Sequence, residues 1–453
     1  MTDPTDVPFS IAAAAREAPE RPFLVAADGT LTRFADLARD VAERRDALGV
    51  SACTVAALVG TPTVTTVRDL LVLLEAHAPC VAIHPRWTPA ERARMLAEAA
   101  PTLLLADGRV EALSGGPRPP TVREGTLAVL YTSGTSGTPK GAVLSRRAFL
   151  EAARGSAARL GWAPEDRWLL ALPLAHVGGL SVVLRCLAAR RTVVLAPPGP
   201  FDPAALVDAV ARHRVTLLSL VPTQLARLVA ERRAPPPSVR AVLLGGAACP
   251  DRVLAEAAAL GWPLRTTYGL TEMASQVTTS PTNVRSADEG SGTPLEGVAL
   301  RIRDGRIAVR SPAAMDGWLD PTLPTPFDAE GFYDTGDLGA LDAEGRLHVY
   351  ARRDDLVVSG GENVYPAEVE SALLALHGVE AACVVGLPDP TWGQRVAAAI
   401  VCAPHAPDDD ALLDALRRRL ASFKLPRRIA RVDALPVNAV GKLDRAAVRA
   451  LFA

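Results

Sequence analysis

The sequence predicts an α/β protein with a large N-terminal domain of layered α/β subdomains and a smaller α+β domain at the C-terminus. Short runs of valine and leucine that end at Gly, Pro or Ser alternate with helical patterns, which is typical of largely parallel sheets covered by helices. The 453 residues exceed what one hydrophobic core usually holds. The pattern changes near Asp354, so we expect domains at residues 1–353 and 354–453.

Composition and charge exclude several classes of protein. Apolar residues make up 49% of the chain and charged residues 22%, and the formal net charge is −1. No global field therefore favours nucleic acid or an anionic membrane. The N-terminus lacks a signal-peptide pattern, and the most apolar long stretch, residues 169–184, is too short to span a bilayer. The six cysteines are scattered, without metal-ligand spacing. We expect a cytoplasmic protein without membrane insertion.

Strands are predicted at four apolar runs, "TLAVLYTSG", "RTVVLAP", "VTLLSLVP" and "VRAVLLGG". Each run ends where a loop would begin, and the carboxyl ends of strands are where ligands bind in open α/β sheets. A helix is predicted over residues 202–214, capped by Asp202 before Pro203.

The last hundred residues predict a helix, two strands and a second helix, in that order. Pro366 begins a helical pattern, and Gly378 is a natural stop. Two strand-like runs follow around "ACVVG" and "VAAAIVCA". A further helix has acids at its start, residues 408–410, and arginines near its end, residues 417–419, which matches the helix dipole.

The stretch "YTSGTSGTPKGAVLS", residues 131–145, is rich in glycine and hydroxyl groups and contains Lys140. A Walker loop needs glycine directly before its lysine, whereas Pro139 stands there, so a common P-loop is excluded. Backbone N–H groups and hydroxyls of such a turn could surround phosphate oxygens, with Lys140 as a point charge. A plain solvent loop has the same composition, and the residues alone leave both readings open.

Five motifs in order resolve that choice: the loop at 131–145, then "YGLTE" (268–272), "YDTGD" (333–337), "RRDDLVVSGGENVYP" (352–366) and "NAVGKLDR" (438–445). Together they resemble the adenylate-forming acyl-CoA synthetase superfamily. The resemblance implies the adenylate-forming enzyme fold, with a mobile C-terminal domain. It also implies an acid–thiol ligase that uses ATP, Mg²⁺ and coenzyme A as a co-substrate.

The resemblance implies a role for each matching residue. The residues expected to bind ATP are Thr132, Ser133, Gly134, Thr135, Ser136, Gly137, Thr138, Lys140, Gly245, Gly246, Tyr268, Gly269, Thr271, Asp337, Arg352 and Lys442. Among them Tyr268 would stack on adenine and Asp337 would bind the ribose hydroxyls. Thr135 and Glu272 would hold Mg²⁺, a hard cation that prefers oxygen ligands. The residues expected to act in catalysis are Lys442, Lys140, Thr271, Glu272 and His176. Asp354 would be the hinge about which the small domain rotates between two half-reactions.

The acid pocket is expected, again by resemblance, at His176, Gly179, Ser181, Gly246, Ser275 and Gln276. Amino-acid-activating relatives place an aspartate near His176, and no acidic residue occurs between Arg167 and Asp202. "AHVGGLS", "AVLLGGAACP" and "TTYGLTEMASQVTT" resemble the o-succinylbenzoate–CoA ligase branch of menaquinone biosynthesis. A cation for a second substrate carboxylate could come from Arg185 or Arg227, although we expect both on helix surfaces.

The expected partners are a small carboxylic acid, ATP and coenzyme A, with no nucleic acid. Two alternative activities stay open at this point: ligation of another aryl, cyclic or medium-chain acid, and loading of a carrier-protein phosphopantetheine thiol. Assembly as a homo-oligomer is also open.

Overall fold

A computed structural model describes residues 7–132, 139–281, 283–352, 355–359, 362–389, 392–420, 422–438 and 443–453. The helices in these ranges are α1 (Ile11–Glu17), α2 (Phe34–Leu48), α3 (Val64–Glu75), α4 (Pro89–Ala99), α5 (Arg146–Leu160), α6 (Val177–Ala188), α7 (Pro203–Arg212), α8 (Pro222–Ala230), α9 (Asp251–Ala259), α10 (Pro366–Leu374), α11 (Asp409–Arg417) and α12 (Arg445–Ala450). The strands are β1 (Pro22–Val25), β2 (Leu31–Arg33), β3 (Ala56–Val59), β4 (Cys80–Ile83), β5 (Leu103–Ala106), β6 (Arg109–Ala112), β7 (Thr126–Thr132), β8 (Lys140–Ser145), β9 (Arg167–Leu170), β10 (Thr192–Leu195), β11 (Leu217–Leu220), β12 (Ala241–Leu244), β13 (Leu264–Leu270), β14 (Ser275–Thr279), β15 (Thr293–Pro294), β16 (Ala299–Arg303), β17 (Arg306–Arg310), β18 (Gly317–Trp318), β19 (Tyr333–Leu341), β20 (Leu347–Arg352), β21 (Val357–Ser359), β22 (Glu362–Val364), β23 (Val379–Asp389), β24 (Gly393–Cys402) and β25 (Arg428–Arg431).

Two large mixed sheets form most of the protein. One has nine strands in the order β15-β14-β13-β12-β11-β9-β10-β1-β2, and the other has seven in the order β18-β8-β7-β4-β3-β5-β6. The interior pairs, from β1 to β13 in the first sheet and among β7, β4, β3 and β5 in the second, are parallel. The antiparallel strands lie at the edges. The predicted α/β class with largely parallel sheets is confirmed.

One hydrophobic core takes side chains from both sheets and from α2, α3, α5 and α6. Every residue of the central strands β3, β4, β10 and β12 is buried, without alternation, as expected for strands that are covered on both faces. Helices α7, α8 and α9 bury a second core on the nine-stranded sheet, and α4 does the same on the seven-stranded sheet. The loops at the carboxyl ends of the parallel strands are thereby held on rigid layers.

The predicted helix at 202–214 is confirmed as α7, and the Asp202 carboxylate accepts a hydrogen bond from Ala205 N at 2.8 Å. The same capping occurs at α11, where Asp408 accepts from Ala411 N at 2.9 Å. Each side-chain cap satisfies an N–H group that has no partner inside its helix.

The C-terminal residues form a five-stranded sheet, β22-β21-β24-β23 with β25 on β24, and two hydrophobic cores of their own. Helices α10 and α11 cover one core and α12 borders the other. The predicted order of helix, two strands and helix is confirmed, and Gly378 adopts φ +80° just past α10. Residues 353 and 354 lie outside the described ranges, so the boundary at 353/354 stays a prediction.

A third, four-stranded antiparallel sheet, β16-β17-β19-β20, precedes this C-terminal part. No helix in the described ranges is long and apolar enough to cross a membrane. All six cysteines are free thiols; Cys80, Cys186 and Cys383 are buried, and Cys53 is exposed.

Candidate active site

The glycine-rich loop connects two hydrogen-bonded antiparallel strands. Thr132 at the end of β7 pairs directly with Lys140 at the start of β8, so the loop between them returns to its own base. Ser133, Gly134, Thr135, Ser136, Gly137 and Thr138 lie outside the described residues. The Lys140 ammonium is 5.4 Å from the centroid of the Trp318 ring, a cation–π distance that fixes the charge at the base of the loop.

The glycine after that lysine has a steric role. A Cβ atom at Gly141 would lie 2.9 Å from the Leu319 Cβ atom, because Leu319 N donates to Gly141 O at 2.7 Å. This contact keeps the segment around β18, which carries Trp318, against β8.

Tyr268, Asp337 and Arg352 converge from three strands. The Tyr268 hydroxyl donates to Asp337 Oδ2 at 2.6 Å, across 69 residues of sequence. Asp337 is 8% exposed and pairs in backbone register with Arg352 across β19 and β20. The predicted adenine and ribose residues are therefore neighbours. Lys442 and Asp354 lie outside the described residues.

Glu272 lies in a single 3₁₀ turn, Thr271–Met273, between β13 and β14. Its Oε1 accepts from the Tyr333 hydroxyl at 3.1 Å, and its carbonyl accepts from Met315 N at 2.8 Å. No group of three or more His, Cys, Asp or Glu side chains in the described ranges could hold a metal ion. A single well-oriented carboxylate nevertheless suits Mg²⁺, which binds through one or two carboxylates together with substrate phosphates.

Two of the predicted nucleotide-side glycines leave no room for a side chain. A Cβ atom at Gly269 would lie 2.0 Å from Ser275 O, and one at Gly245 would lie 2.8 Å from Thr267 Cγ2. Gly246 adopts φ +85°, a conformation that favours glycine. Gly245 thus lets the turn after β12 lie against β13, and Gly269 lets β13 lie against β14. Exposed main chain without side chains suits a flat base.

Helix α6 begins at the predicted acid pocket. His176 is its N-cap, and a Cβ atom at Gly179 would lie 2.3 Å from Pro173 O. Gly179 therefore lets the first turn of α6 rest on the chain before it. The His176 ring lies 5.0 Å, centroid to centroid, from the ring of His84.

Arg185 is buried, and the expectation of a helix-surface position for it is wrong. It is 4% exposed because α6 packs on α5 and on β9 and β10, so no side of the helix faces solvent at that turn. Its Nη2 atom has no hydrogen-bond partner among the described residues, and burial lowers the pKa of Arg185 to about 10. Arg227 is exposed, as expected.

Three buried side-chain oxygens without described partners lie on elements that pack together with α6. They are Ser181 Oγ on α6, Ser156 Oγ on α5 and Gln276 Oε1 on β14. Gln276 Nε2 donates to Thr279 Oγ1 at 2.6 Å, so its amide is half engaged. The preceding residue, Ser275, has φ +115°, a strained conformation of the kind that concentrates at functional sites.

Sequence reasoning missed His84, Trp318 and Tyr333 as parts of this region. His84 directly follows the apolar run of β4, and this strand end was the available signal. Tyr333 opens the YDTGD motif, which was the available signal for it, although its contact with Glu272 is made only in the folded protein. Trp318 reaches Lys140 through the pairing of β18 with β8, for which the sequence carries no local signal.

Comparison with known proteins identifies the family of this chain. Residues 110–319 match the AMP-binding enzyme family, and residues 368–442 match the AMP-binding enzyme C-terminal domain. A 2-succinylbenzoate–CoA ligase of Bacillus pumilus (strain SAFR-032) is 39% identical over 333 residues, which are 71% of this chain and 68% of that protein.

Solved structures with the same fold cover nearly the whole chain. The o-succinylbenzoate CoA synthetase of Bacillus subtilis, in complex with its acyl-adenylate intermediate, is 31% identical with a TM-score of 0.85, covering 97% of both chains. The amide bond synthetase McbA of Marinactinospora thermotolerans is 28% identical with a TM-score of 0.86, covering 98% of this chain and 100% of that one. This chain belongs to the AMP-binding enzyme family.

Proposed function

We propose that this protein is an ATP-dependent acid–CoA ligase that acts on o-succinylbenzoate. The observation that carries the choice of acid is Arg185, a buried guanidinium with an unpartnered Nη2 atom on α6. A buried cation is expensive unless an anion pairs with it. o-Succinylbenzoate has a second carboxylate besides the one that is activated, and monocarboxylic acids have none.

In the first half-reaction, the substrate carboxylate attacks the α-phosphorus of ATP. An acyl-AMP forms and pyrophosphate leaves. Lys140 and Lys442 would stabilise the charge on the phosphate and carboxylate oxygens, and Thr271 would contact the α-phosphate. Mg²⁺, held by Glu272 and Thr135, would neutralise charge on the phosphates. Tyr268 and Asp337 would orient adenine and ribose, and their mutual hydrogen bond preorganises both side chains.

In the second half-reaction, the coenzyme A thiol attacks the acyl carbonyl and AMP leaves. Rotation of the C-terminal domain about Asp354 would withdraw Lys442 and bring residues 359–363 to the site. Such a motion lets one site run two reactions in sequence. The separate hydrophobic cores of the C-terminal residues support movement as a unit.

The acid pocket would extend from His176 along α6 to Arg185. Nine residues of helix span about 13 Å, and helical side chains lean towards the N-terminus, so a bound substrate would have to extend along α6 for its second carboxylate to meet the guanidinium. Ser181, Ser275 and Gln276 would offer hydrogen bonds to the substrate ketone or carboxylates. Gly179 and Gly246 would shape the walls.

The test is pyrophosphate release and thioester formation with ATP, Mg²⁺ and coenzyme A. o-Succinylbenzoate is compared with benzoate, salicylate, octanoate and cyclohexanecarboxylate. Strong preference for o-succinylbenzoate is expected, because only this acid has a second carboxylate that could pair with Arg185 while the first is activated. Activity confined to the other acids would keep the ligase chemistry and reject the substrate. Pyrophosphate release without thioester would point to a carrier-protein thiol as the acceptor.

A cytoplasmic location is part of this proposal. All six cysteines are free, which suits a reducing compartment, and the substrates ATP and coenzyme A are intracellular metabolites.

A further inference from the structure

Tyr333 is a buried tyrosine that is not among the predicted site residues. It is the first residue of β19, and its ring lies 6.0 Å, centroid to centroid, from the ring of Phe327. Its hydroxyl donates to Glu272 Oε1 at 3.1 Å, although the two residues are 61 positions apart in the sequence. The polar atom of this side chain is therefore directed at the carboxylate that is proposed to bind Mg²⁺.

The backbone of Tyr333 is fixed from two sides. It pairs with Val309 of β17, and it forms an isolated bridge with Phe327. Val309 is itself fully buried in the central core. Because packing and strand pairing restrict the position of the ring, the hydroxyl offers its proton at a defined place.

The main chain of Glu272 is held independently of Tyr333. Its carbonyl accepts a hydrogen bond from Met315 N at 2.8 Å. The 3₁₀ turn Thr271–Met273 also lies against β7 and β8, the strands that end at Thr132 and begin at Lys140. The turn is thereby held next to the strand of Lys140, on the side proposed for the phosphates. Loss of the Tyr333 hydroxyl would leave this main chain in place and act on the carboxylate alone.

A carboxylate that binds Mg²⁺ needs a fixed direction and a full negative charge. A glutamate side chain turns about several bonds, and ordering it costs conformational entropy. Mg²⁺ demands near-ideal octahedral geometry, so only some of these orientations suit it. A hydrogen bond to one oxygen restricts the rotation in advance, and an ionised carboxylate retains acceptor capacity for a cation. The phenol is also neutral, whereas a lysine or arginine in its place would offset the charge that attracts Mg²⁺.

We propose that Tyr333 is a positioning residue: its hydroxyl holds the Glu272 carboxylate in the orientation in which it binds the Mg²⁺ of the Mg–ATP complex. Groups that hydrogen-bond to a metal ligand orient it in this way, and their loss typically weakens metal binding by ten- to a hundred-fold. The inference rests on the proposed binding of ATP and Mg²⁺, and it does not depend on which acid is activated.

The experiment measures ATP binding by calorimetry, once with Mg²⁺ and once with EDTA in place of the metal. Tyr333→Phe keeps the ring and removes only the hydroxyl. We expect ATP to bind about ten-fold more weakly in the presence of Mg²⁺. With EDTA it should bind as to the wild type, because the orientation of Glu272 then brings no advantage. In a Glu272→Gln background, Tyr333→Phe should have no further effect.

The matched control is Tyr268→Phe, which removes the hydroxyl that donates to Asp337 Oδ2 at 2.6 Å. Since Asp337 is proposed to bind the ribose, the loss of ATP affinity in this variant should be the same with Mg²⁺ and with EDTA.

Three results would overturn the role of Tyr333 while leaving the ligase assignment intact. They are an equal loss of affinity under both conditions in Tyr333→Phe, an unchanged affinity with Mg²⁺, and a further loss in the Glu272→Gln background. Failure of the wild-type protein to bind ATP under either condition would instead reject the proposed function itself.

Discussion

Arg185 shows how much one buried charge constrains the substrate. Its guanidinium lies 5.6 Å from the Trp168 ring, and a pKa of about 10 keeps it cationic at neutral pH. An aromatic face offsets only part of the lost hydration of a buried cation. The buried Arg185 guanidinium therefore favours an anionic ligand.

Replacing Arg185 tests whether its guanidinium pairs with the second carboxylate of o-succinylbenzoate. Arg185→Leu should raise KM for o-succinylbenzoate by about ten- to a hundred-fold, the scale of a hydrogen bond to a charged group, with KM for ATP nearly unchanged. Steady-state kinetics with each substrate varied measures both. Arg185→Lys should be milder, and the exposed Arg227→Leu should have no effect. Equal rises in both KM values for Arg185→Leu would mean that Arg185 only supports the fold.

His84 predicts a pH dependence of stability. Its pKa is lowered from 6.5 to about 4 in the folded protein, so between these values the unfolded chain binds the extra proton. The free energy of unfolding should consequently fall as the pH drops from 6.5 towards 4, by at most about 1.4 kcal/mol per pH unit from this group. In His84→Phe, urea unfolding across this range should show a shallower fall. An unchanged slope would mean that His84 is protonated as readily in the folded state as in the unfolded state.

At the scale of elements, the buried helix α6 carries two residues of the proposed acid pocket. Residues Gly179 to Leu187 are all buried, and the first turn rests on the carbonyls of Leu172 and Pro173. The helix thereby fixes His176 at its N-cap and Arg185 near its end. A small shift of this helix would move both residues, because they belong to one rigid element.

Gly179→Ala should therefore destabilise the protein by about 1–3 kcal/mol, since the added methyl group meets backbone that cannot yield easily. The measurement is urea unfolding followed by circular dichroism. Gly155→Ala in α5 is the matched control, because there a Cβ atom would meet its nearest neighbour, Leu295 Cβ, at an ordinary 3.5 Å. The control should be neutral or stabilising by up to about 1 kcal/mol. Similar destabilisation by both changes would refute this account of Gly179.

At the scale of the whole molecule, the described C-terminal residues have two hydrophobic cores of their own. One visible tie is the contact of the Tyr350 and Tyr365 rings, whose centroids are 5.7 Å apart. The predicted hinge at Asp354 falls between these two residues. The cores before and after the predicted hinge consist of different residues, so a rotation there would leave both cores intact.

Asp354→Pro should restrict rotation at the hinge, because proline fixes φ near −65°. We expect one half-reaction to be lost while the other persists, as measured by pyrophosphate release and by thioester formation from supplied acyl-AMP. Lys442→Ala is the comparison variant and should lose adenylation alone, by two to three orders of magnitude, on the order of one preorganised charge contact. Equal loss of both steps in Asp354→Pro would contradict a hinge at this residue.

The sequence by itself determined the local features. The α/β class, the cap of α7, the charges at the two ends of α11, the order of elements after Pro366 and the family follow from local sequence patterns. The roles carried over from the motifs stay predictions, several of them on residues outside the described ranges.

Only the tertiary structure decided which distant residues meet. Tyr268 reaches Asp337 across 69 residues, and Tyr333 reaches Glu272 across 61, through contact between two different sheets that no short pattern encodes. The burial of Arg185 depends on the elements that cover α6, and the contact of His84 with His176 joins the end of β4 to the start of α6. Local patterns specify helices, strands and caps, whereas burial and contact between distant residues arise from the packing of whole layers.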